Sequence, residues 1–249
     1  MKKIVDAIRS VFFTIGFYGL TAIMLFISIP VLLLSLRLKR MVSMFWFWAI
    51  YKAEKYVMNL DYRVIGKENM PTGPCIIASK HQSAWETLKV YHIFGEETAI
   101  VAKKELLDIP VWGQYGLAMG LVPVDRSKGR EAMAEMTKAA NEAIGNGRNV
   151  FVFPQGTRVP VGVKMPYKGG IVKLYEGLNV PVVPVAINAG LFWPKKSFWK
   201  KSGVITVEIL PPVEAGLPSD VFFDRLVETI ETASDRLCAL PVTQSVEKY

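Results

Sequence analysis

The side chains best placed to do chemistry lie in Lys80-His81-Gln82-Ser83-Ala84-Trp85-Glu86, directly after the apolar run Cys75-Ile76-Ile77-Ala78. Taking a proton from a hydroxyl at neutral pH needs a base that is largely neutral there. An imidazole, with an ordinary pKa of about 6.5, qualifies. A carboxylate that receives the other ring N–H fixes the tautomer and stabilises the imidazolium as it forms. His81 and Glu86 can make that pair if the chain turns between them, although two unrelated surface residues would show the same spacing. Ser83 raises a rival, a serine nucleophile beside His81, but the Gly-x-Ser-x-Gly turn that exposes such a serine is missing. His92 is the only other histidine and Cys75 and Cys238 stand alone, so no metal site is expected.

Such a pair needs elements to hold it. Tyr62–Gly66, Cys75–Ala78, Thr98–Ala102, Leu121–Val124, Asn149–Phe153, Val180–Ile187 and Ile205–Leu210 read as strands. Helical spacing covers Thr87–Phe94, Trp112–Met119, Glu131–Ile144 and Phe222–Leu237. Strands alternating with helices give an α/β fold, a mostly parallel sheet flanked by helices, and ligands of such sheets sit beyond the carboxyl ends of strands. His81, Lys103, Arg126 and Arg158 all come after strands in this reading. Each basic residue alone would be an ordinary solvated charge. Together they suit a phosphate, which arginine grips bidentately and lysine attracts as a compact charge. Gly156, Gly169 and Gly170 would let backbone N–H groups approach an oxyanion, but Gly156 does not belong to a Walker-type loop.

The chain has 249 residues, half of them hydrophobic, and a formal charge of +8, which favours acidic partners. No charge interrupts the stretch between Arg9 and Arg37, long enough as a helix to cross a bilayer. Basic residues flank both ends (Lys2, Lys3 and Arg9; Arg37, Lys39 and Arg40), which conflicts with a single span. Pro30, Gly16 and Gly19 offer places to bend. The preferred reading is a helical pair that enters a membrane and returns to its cytoplasmic face, with a true span as the alternative. Residues 1–58 are expected to form this hydrophobic helical anchor and residues 59–249 the α/β domain. Trp46 and Trp48 suit a headgroup region, and so does the aromatic and basic strip Leu191–Lys201, with Lys195, Lys196, Lys200 and Lys201 meeting anionic lipid. That strip would also suit single-stranded nucleic acid, a reading the hydrophobic N-terminus disfavours.

Five ordered blocks carry a resemblance: His81-Gln82-Ser83-Ala84-Trp85-Glu86; Lys103-Lys104-Glu105-Leu106 with Ile109-Pro110 and Gly113; Val124-Asp125-Arg126; Phe153-Pro154-Gln155-Gly156-Thr157-Arg158; and Val180-Pro181-Val182-Val183-Pro184-Val185. From about Leu60 to Pro212 the chain resembles the 1-acylglycerol-3-phosphate acyltransferases. The resemblance implies a glycerolipid acyltransferase fold, attachment to the cell membrane on its cytoplasmic side, and transfer of a fatty acyl group from acyl-CoA or acyl-carrier protein to a lysophospholipid hydroxyl. No cofactor is implied. His81 and Glu86 would be catalytic, Lys103, Arg126 and Arg158 would bind the acceptor's phosphate, and Gln155, Gly156 and Thr157 would position substrate. Two positions depart from the family: Glu86 stands where Asp is usual, and Gln155 where the block usually carries Glu. These departures keep two alternatives open, a different acceptor such as a lyso-aminolipid and a lipid-binding protein without turnover.

Overall fold

The computed structural model describes residues 1–239. Among the described residues seven strands form one sheet: β1 (Leu60–Ile65), β2 (Ile76–Ser79), β3 (Thr98–Lys103), β4 (Val122–Val124), β5 (Asn149–Val152), β6 (Val182–Ile187) and β7 (Gly203–Ile209). Their order is β1-β7-β6-β2-β5-β3-β4. From β6 to β4 all neighbours are parallel, whereas β7 joins β6 antiparallel and β1 then pairs parallel to β7. The expected mostly parallel sheet is present, with two strands at one edge running the other way. Continuous apolar sequence in β2 and β6 reflects their central positions, since every residue of both is buried.

Helices cover both faces. On one face α5 (Arg130–Gly145), α6 (Gly170–Leu178) and α7 (Ser219–Ala239) pack through Met136, Ala140, Ile171, Leu174, Phe222 and Leu226. The other face receives α3 (Trp85–Phe94), the short α4 (Trp112–Ala118) and the N-terminal helices through Phe13, Met58, Trp85, Tyr91, Met119 and Phe151. The spacing in α5 works as expected: Ala132, Met136, Ala140 and Ala143 are buried and Ala139 is partly so.

The first residues form a hairpin of α1 (Lys2–Val31) and α2 (Leu36–Ala53), joined by Leu32–Ser35. Neither Gly16 nor Gly19 interrupts α1, and the chain reverses only past Pro30. Ser35 caps α2 by accepting from the Leu38 N–H. A π-helical turn, Glu54–Met58, then leads through Asn59, in the left-handed conformation, into β1. The sidedness of α1 is inverted relative to a core helix. Its buried residues include Asp6, Ser10 and Ser28, while Ile4, Ile8, Phe12, Ile15, Ile23, Phe26 and Ile27 face outward. The buried polar groups have partners: the Asp6 carboxylate accepts from the Ser202 N–H, the Ser10 hydroxyl accepts from the Lys200 N–H, and the Ser28 carbonyl accepts from the Tyr115 hydroxyl. Trp46, expected in a headgroup layer, instead donates its indole N–H to Thr21 across the hairpin at 3.2 Å. Trp48 remains about half exposed.

Candidate active site

β2 and β5 are parallel neighbours whose onward connections leave in opposite directions. The chain leaves β2 through α3 towards β3, and leaves β5 through α6 towards β6 on the far side of β2. Such a reversal opens a crevice beyond the strand ends. His81 comes just after β2 and the segment Phe153–Val159 just after β5, so both stand at that crevice.

The two segments touch. The His81 ring stacks on Phe153 with centroids 3.8 Å apart and an interplanar angle of 16°, and the Val159 N–H donates to the His81 carbonyl at 2.7 Å. The stacking limits ring rotation, and the backbone bond sets the height of the 153–159 loop. Glu86 sits in the first turn of α3 and is 4% exposed. Its Oε1 accepts from the N–H groups of Gln82 at 2.6 Å and Ser83 at 2.8 Å, satisfying donors at the helix start. The same oxygen lies 3.7 Å from His81 Nδ1. That separation is longer than a hydrogen bond and short enough for full electrostatic contact. Among the described residues, His81 Nδ1 and Glu86 Oε2 are both buried without a hydrogen-bond partner.

The flanking residues are tied down independently. Lys80 is buried against Glu231 of α7 at 2.6 Å, and the Tyr167 hydroxyl donates to the same carboxylate oxygen at 2.7 Å. Burial and the Glu231 charge push the Tyr167 phenol well above its usual range, which keeps it a donor. The Gln82 side chain accepts from the Gly190 N–H at 3.0 Å. Ser83 is fully buried and its Oγ accepts from the Trp85 N–H, so it serves the turn rather than presenting a nucleophile.

Behind this turn α3 carries a second acid–base pair. Lys89 Nζ and Glu54 are 2.6 Å apart, 0% and 1% exposed. Burial pulls the Lys89 ammonium below its usual range and pushes the Glu54 carboxyl above its own, each opposed by the partner's charge. Lys89 Nζ also lies 5.0 Å from the Tyr51 ring centroid. The pair joins the π turn after α2 to the helix that carries Glu86.

In the loop after β5, Gly156 has φ +68°, a conformation that favours glycine, and its N–H donates to the Phe153 carbonyl. Gln155 is 1% exposed. Its Nε2 donates to the Met165 carbonyl at 3.3 Å, and its Oε1 has no partner. Thr157 and Arg158 are half-buried. Lys103 ends β3 opposite Val124 and is exposed. Arg126 begins a single 3-10 turn after β4. The structure thus brings His81, Glu86 and the 153–159 loop into contact. It puts Lys103 and Arg126 on the same sheet edge, one and two strands beyond β5, at about 4.8 Å per strand. Gly169 and Gly170 lead into α6, where Gly170 packs on Met133, which is a packing role. Sequence reasoning missed two residues of this region, Phe153 and Lys195, whose ammonium donates to the Arg158 carbonyl at 2.6 Å.

A histidine and a carboxylate thus stand at the end of one central strand, beside a basic edge and a glycine turn on the next. Residues 61–188 match the Acyltransferase family model, and the chain belongs to that family. It is 38% identical over 161 residues to the 1-acyl-sn-glycerol-3-phosphate acyltransferase of Pseudomonas aeruginosa, covering 65% of this chain and 62% of that protein. It is 30% identical over 191 residues to the enzyme of the same name from Saccharomyces cerevisiae, covering 75% and 62%. The matches therefore span somewhat under two thirds of those relatives. The crystal structure of the 1-acyl-sn-glycerophosphate (LPA) acyltransferase PlsC from Thermotoga maritima superposes with a TM-score of 0.67 at 24% identity, covering 97% of this chain and 99% of that one, and shares its fold.

Proposed function

We propose that this protein transfers a fatty acyl group from an acyl thioester to the 2-hydroxyl of 1-acylglycerol-3-phosphate, giving phosphatidic acid. The observation that carries the reading is the His81–Glu86 arrangement at the β2–β5 crevice: Nδ1 faces Glu86 at 3.7 Å, which leaves Nε2 as the nitrogen to receive a proton. The names of the relatives supply the acceptor. Arg158, with Lys103 and Arg126 along the same edge, holds its phosphate. Gln155, Gly156 and Thr157 shape the turn beside the reacting carbonyl.

The step balances without an acyl-enzyme. Nε2 takes the hydroxyl proton as the oxygen attacks the thioester carbon. The Glu86 carboxylate stabilises the positive charge on the His81 imidazolium, its own position fixed by the Gln82 and Ser83 N–H groups. The carbonyl oxygen becomes an oxyanion, for which the N–H groups around Gly156–Thr157 or the Lys103 ammonium are the donors at hand. Collapse forms the ester and expels the thiolate, which recovers the proton from Nε2. Long histidine–carboxylate distances commonly shorten once substrate is bound. The outward apolar face of α1 and its hairpin with α2 support attachment to a membrane, where both the acceptor and the product reside.

Purified full-length protein in detergent, given an acyl thioester with or without lysophosphatidic acid, tests the reading by thiol release. Release that requires the acceptor and disappears in His81→Ala supports it; release without acceptor makes the protein a hydrolase. Running acyl-CoA beside acyl-carrier protein identifies the donor. Tight lipid binding with no release from either would overturn it in favour of a binding protein.

A further inference from the structure

Past β6 the chain runs through one 3-10 turn, Ala189–Leu191, into an irregular strap that ends at β7. Sequence suggested that its four lysines face lipid headgroups together, but the structure separates them. Lys200 is buried, with Nζ 4.8 Å from the Trp193 ring centroid and 5.4 Å from that of Phe13, and its ammonium donates to the Phe198 carbonyl. Burial holds it below the usual lysine range. Lys196 and Lys201 are exposed. Lys195 is half-buried and turns towards the crevice, where it donates to the Arg158 carbonyl at 2.6 Å.

We infer that Lys195 is a positioning residue for acceptor binding, holding the backbone from which the Arg158 guanidinium reaches the phosphate. This rests on the assignment of Arg158 above. Other bonds also hold the 153–159 loop, among them the Lys168 N–H on the Pro154 carbonyl and the Gln155 amide on the Met165 carbonyl, and two bonds bracket Arg158. Its near end is closed by the Gly156 N–H on the Phe153 carbonyl, and its far end by the Val159 N–H on the His81 carbonyl. Thr157 and Arg158 lie between these pins, and the Lys195 bond falls on that interval. A hydrogen bond from an ammonium to a carbonyl is among the stronger neutral-acceptor bonds. The base of the strut is rigid. Lys196 has φ +61°, the Ser197 N–H closes a turn on the Pro194 carbonyl, and the Lys201 N–H donates to the Phe192 carbonyl. The strap is fastened in turn to α1, through Lys200 on Ser10 and Ser202 on Asp6. Arg158 is therefore fixed relative to His81 on one side and to the N-terminal helix on the other.

The test compares Lys195→Met, Lys195→Arg and Arg158→Ala in the full-length protein, with lysophosphatidic acid as acceptor and the thioester that supports turnover as donor. Lys195→Met is expected to raise the acceptor KM about tenfold, to leave kcat within about twofold and the donor KM unchanged, and to speed amide exchange at Val159. Lys195→Arg should restore most of the acceptor KM, because a guanidinium can reach the same carbonyl. An unchanged acceptor KM in Lys195→Met, or an equal loss in every kinetic parameter, overturns the inference. A raised KM with unchanged Val159 exchange also overturns it, because Lys195 would then be touching the phosphate itself. If Arg158→Ala leaves the acceptor KM untouched, the Arg158 assignment has failed instead, and Val159 exchange alone then decides whether Lys195 braces the loop.

Discussion

Helix α3 contributes one member to each of two acid–base pairs, and the two pairs differ in separation and in burial. His81–Glu86 is open, with 3.7 Å between the facing atoms and the imidazole 13% exposed. Lys89–Glu54 is closed at 2.6 Å with both side chains out of solvent. A base that must gain and lose a proton in each turnover gains from a partner that is near but not saturating. A pair whose task is to join two elements gains from being shut. On the proposed function, looseness goes with the pair assigned to chemistry, and tightness with the pair that holds the structure around it.

Substitutions at each pair should separate rate from stability. The largest effect is expected from His81→Ala: turnover falls about a thousandfold, the scale of general-base catalysis, with the denaturation midpoint unchanged. Equal loss of rate and stability would erase the distinction. Next comes Lys89→Met, which leaves Glu54 buried and alone and should cost about 3–5 kcal/mol of stability. Replacing both members by apolar residues should recover most of that cost, and activity per folded molecule should persist throughout. Equilibrium unfolding beside single-turnover rates checks both. Glu86→Gln is subtler, since its amide oxygen can still accept from Gln82 and Ser83 while the charge facing His81 is gone. We expect about a thirtyfold loss in kcat with stability within about 1 kcal/mol, the usual range for a cap that survives.

The smallest effect belongs to the more exposed neighbour of Glu54. Asp61 accepts from Tyr51 and from its own strand's Tyr62 N–H and pairs with Lys55 at 2.7 Å. Burial pushes its carboxyl up, but these bonds outweigh burial and hold it below the ordinary 3.8. A depressed carboxyl stabilises the fold above that ordinary value and loses the contribution as pH falls through the lowered one. Asp61→Asn should therefore destabilise by under about 1 kcal/mol at pH 6 and by nothing measurable near pH 2, tracked by urea midpoints at both.

Much of the site could be read from sequence because its parts lie at strand ends, and buried parallel strands announce themselves. Ile76-Ile77-Ala78 and Val150-Phe151-Val152 are uninterrupted apolar runs. The residues one position past each run, Lys80-His81 after Ser79 and Pro154-Gln155 after Phe153, must then stand at the sheet edge. Other features depend on pairings between residues far apart in the chain. The reversal of β1 and β7 is set by the register of Leu60 with Gly203 and of Ile187 with Val207, which no local pattern encodes. The strap lysines keep neither helical nor strand spacing, so nothing in the sequence separates Lys195, facing Arg158, from Lys200, enclosed by aromatic rings. Trp46 found a hydroxyl acceptor in Thr21, 25 residues away, rather than a wet interface.

The inverted polarity of α1 also sets an order of events during synthesis. Ser10 finds its partner in Lys200, 190 residues later, and Leu60 of β1 waits for Gly203. At a translation rate of about 5–20 residues per second, α1 would spend about ten to forty seconds without the Lys200 and Ser202 N–H groups that bond Ser10 and Asp6, and with its oily side exposed. During that interval a bilayer, or a chaperone that shields apolar helices, is the natural host for that oily side. This helix, made before the sheet, completes its polar contacts only after nearly every strand has been made.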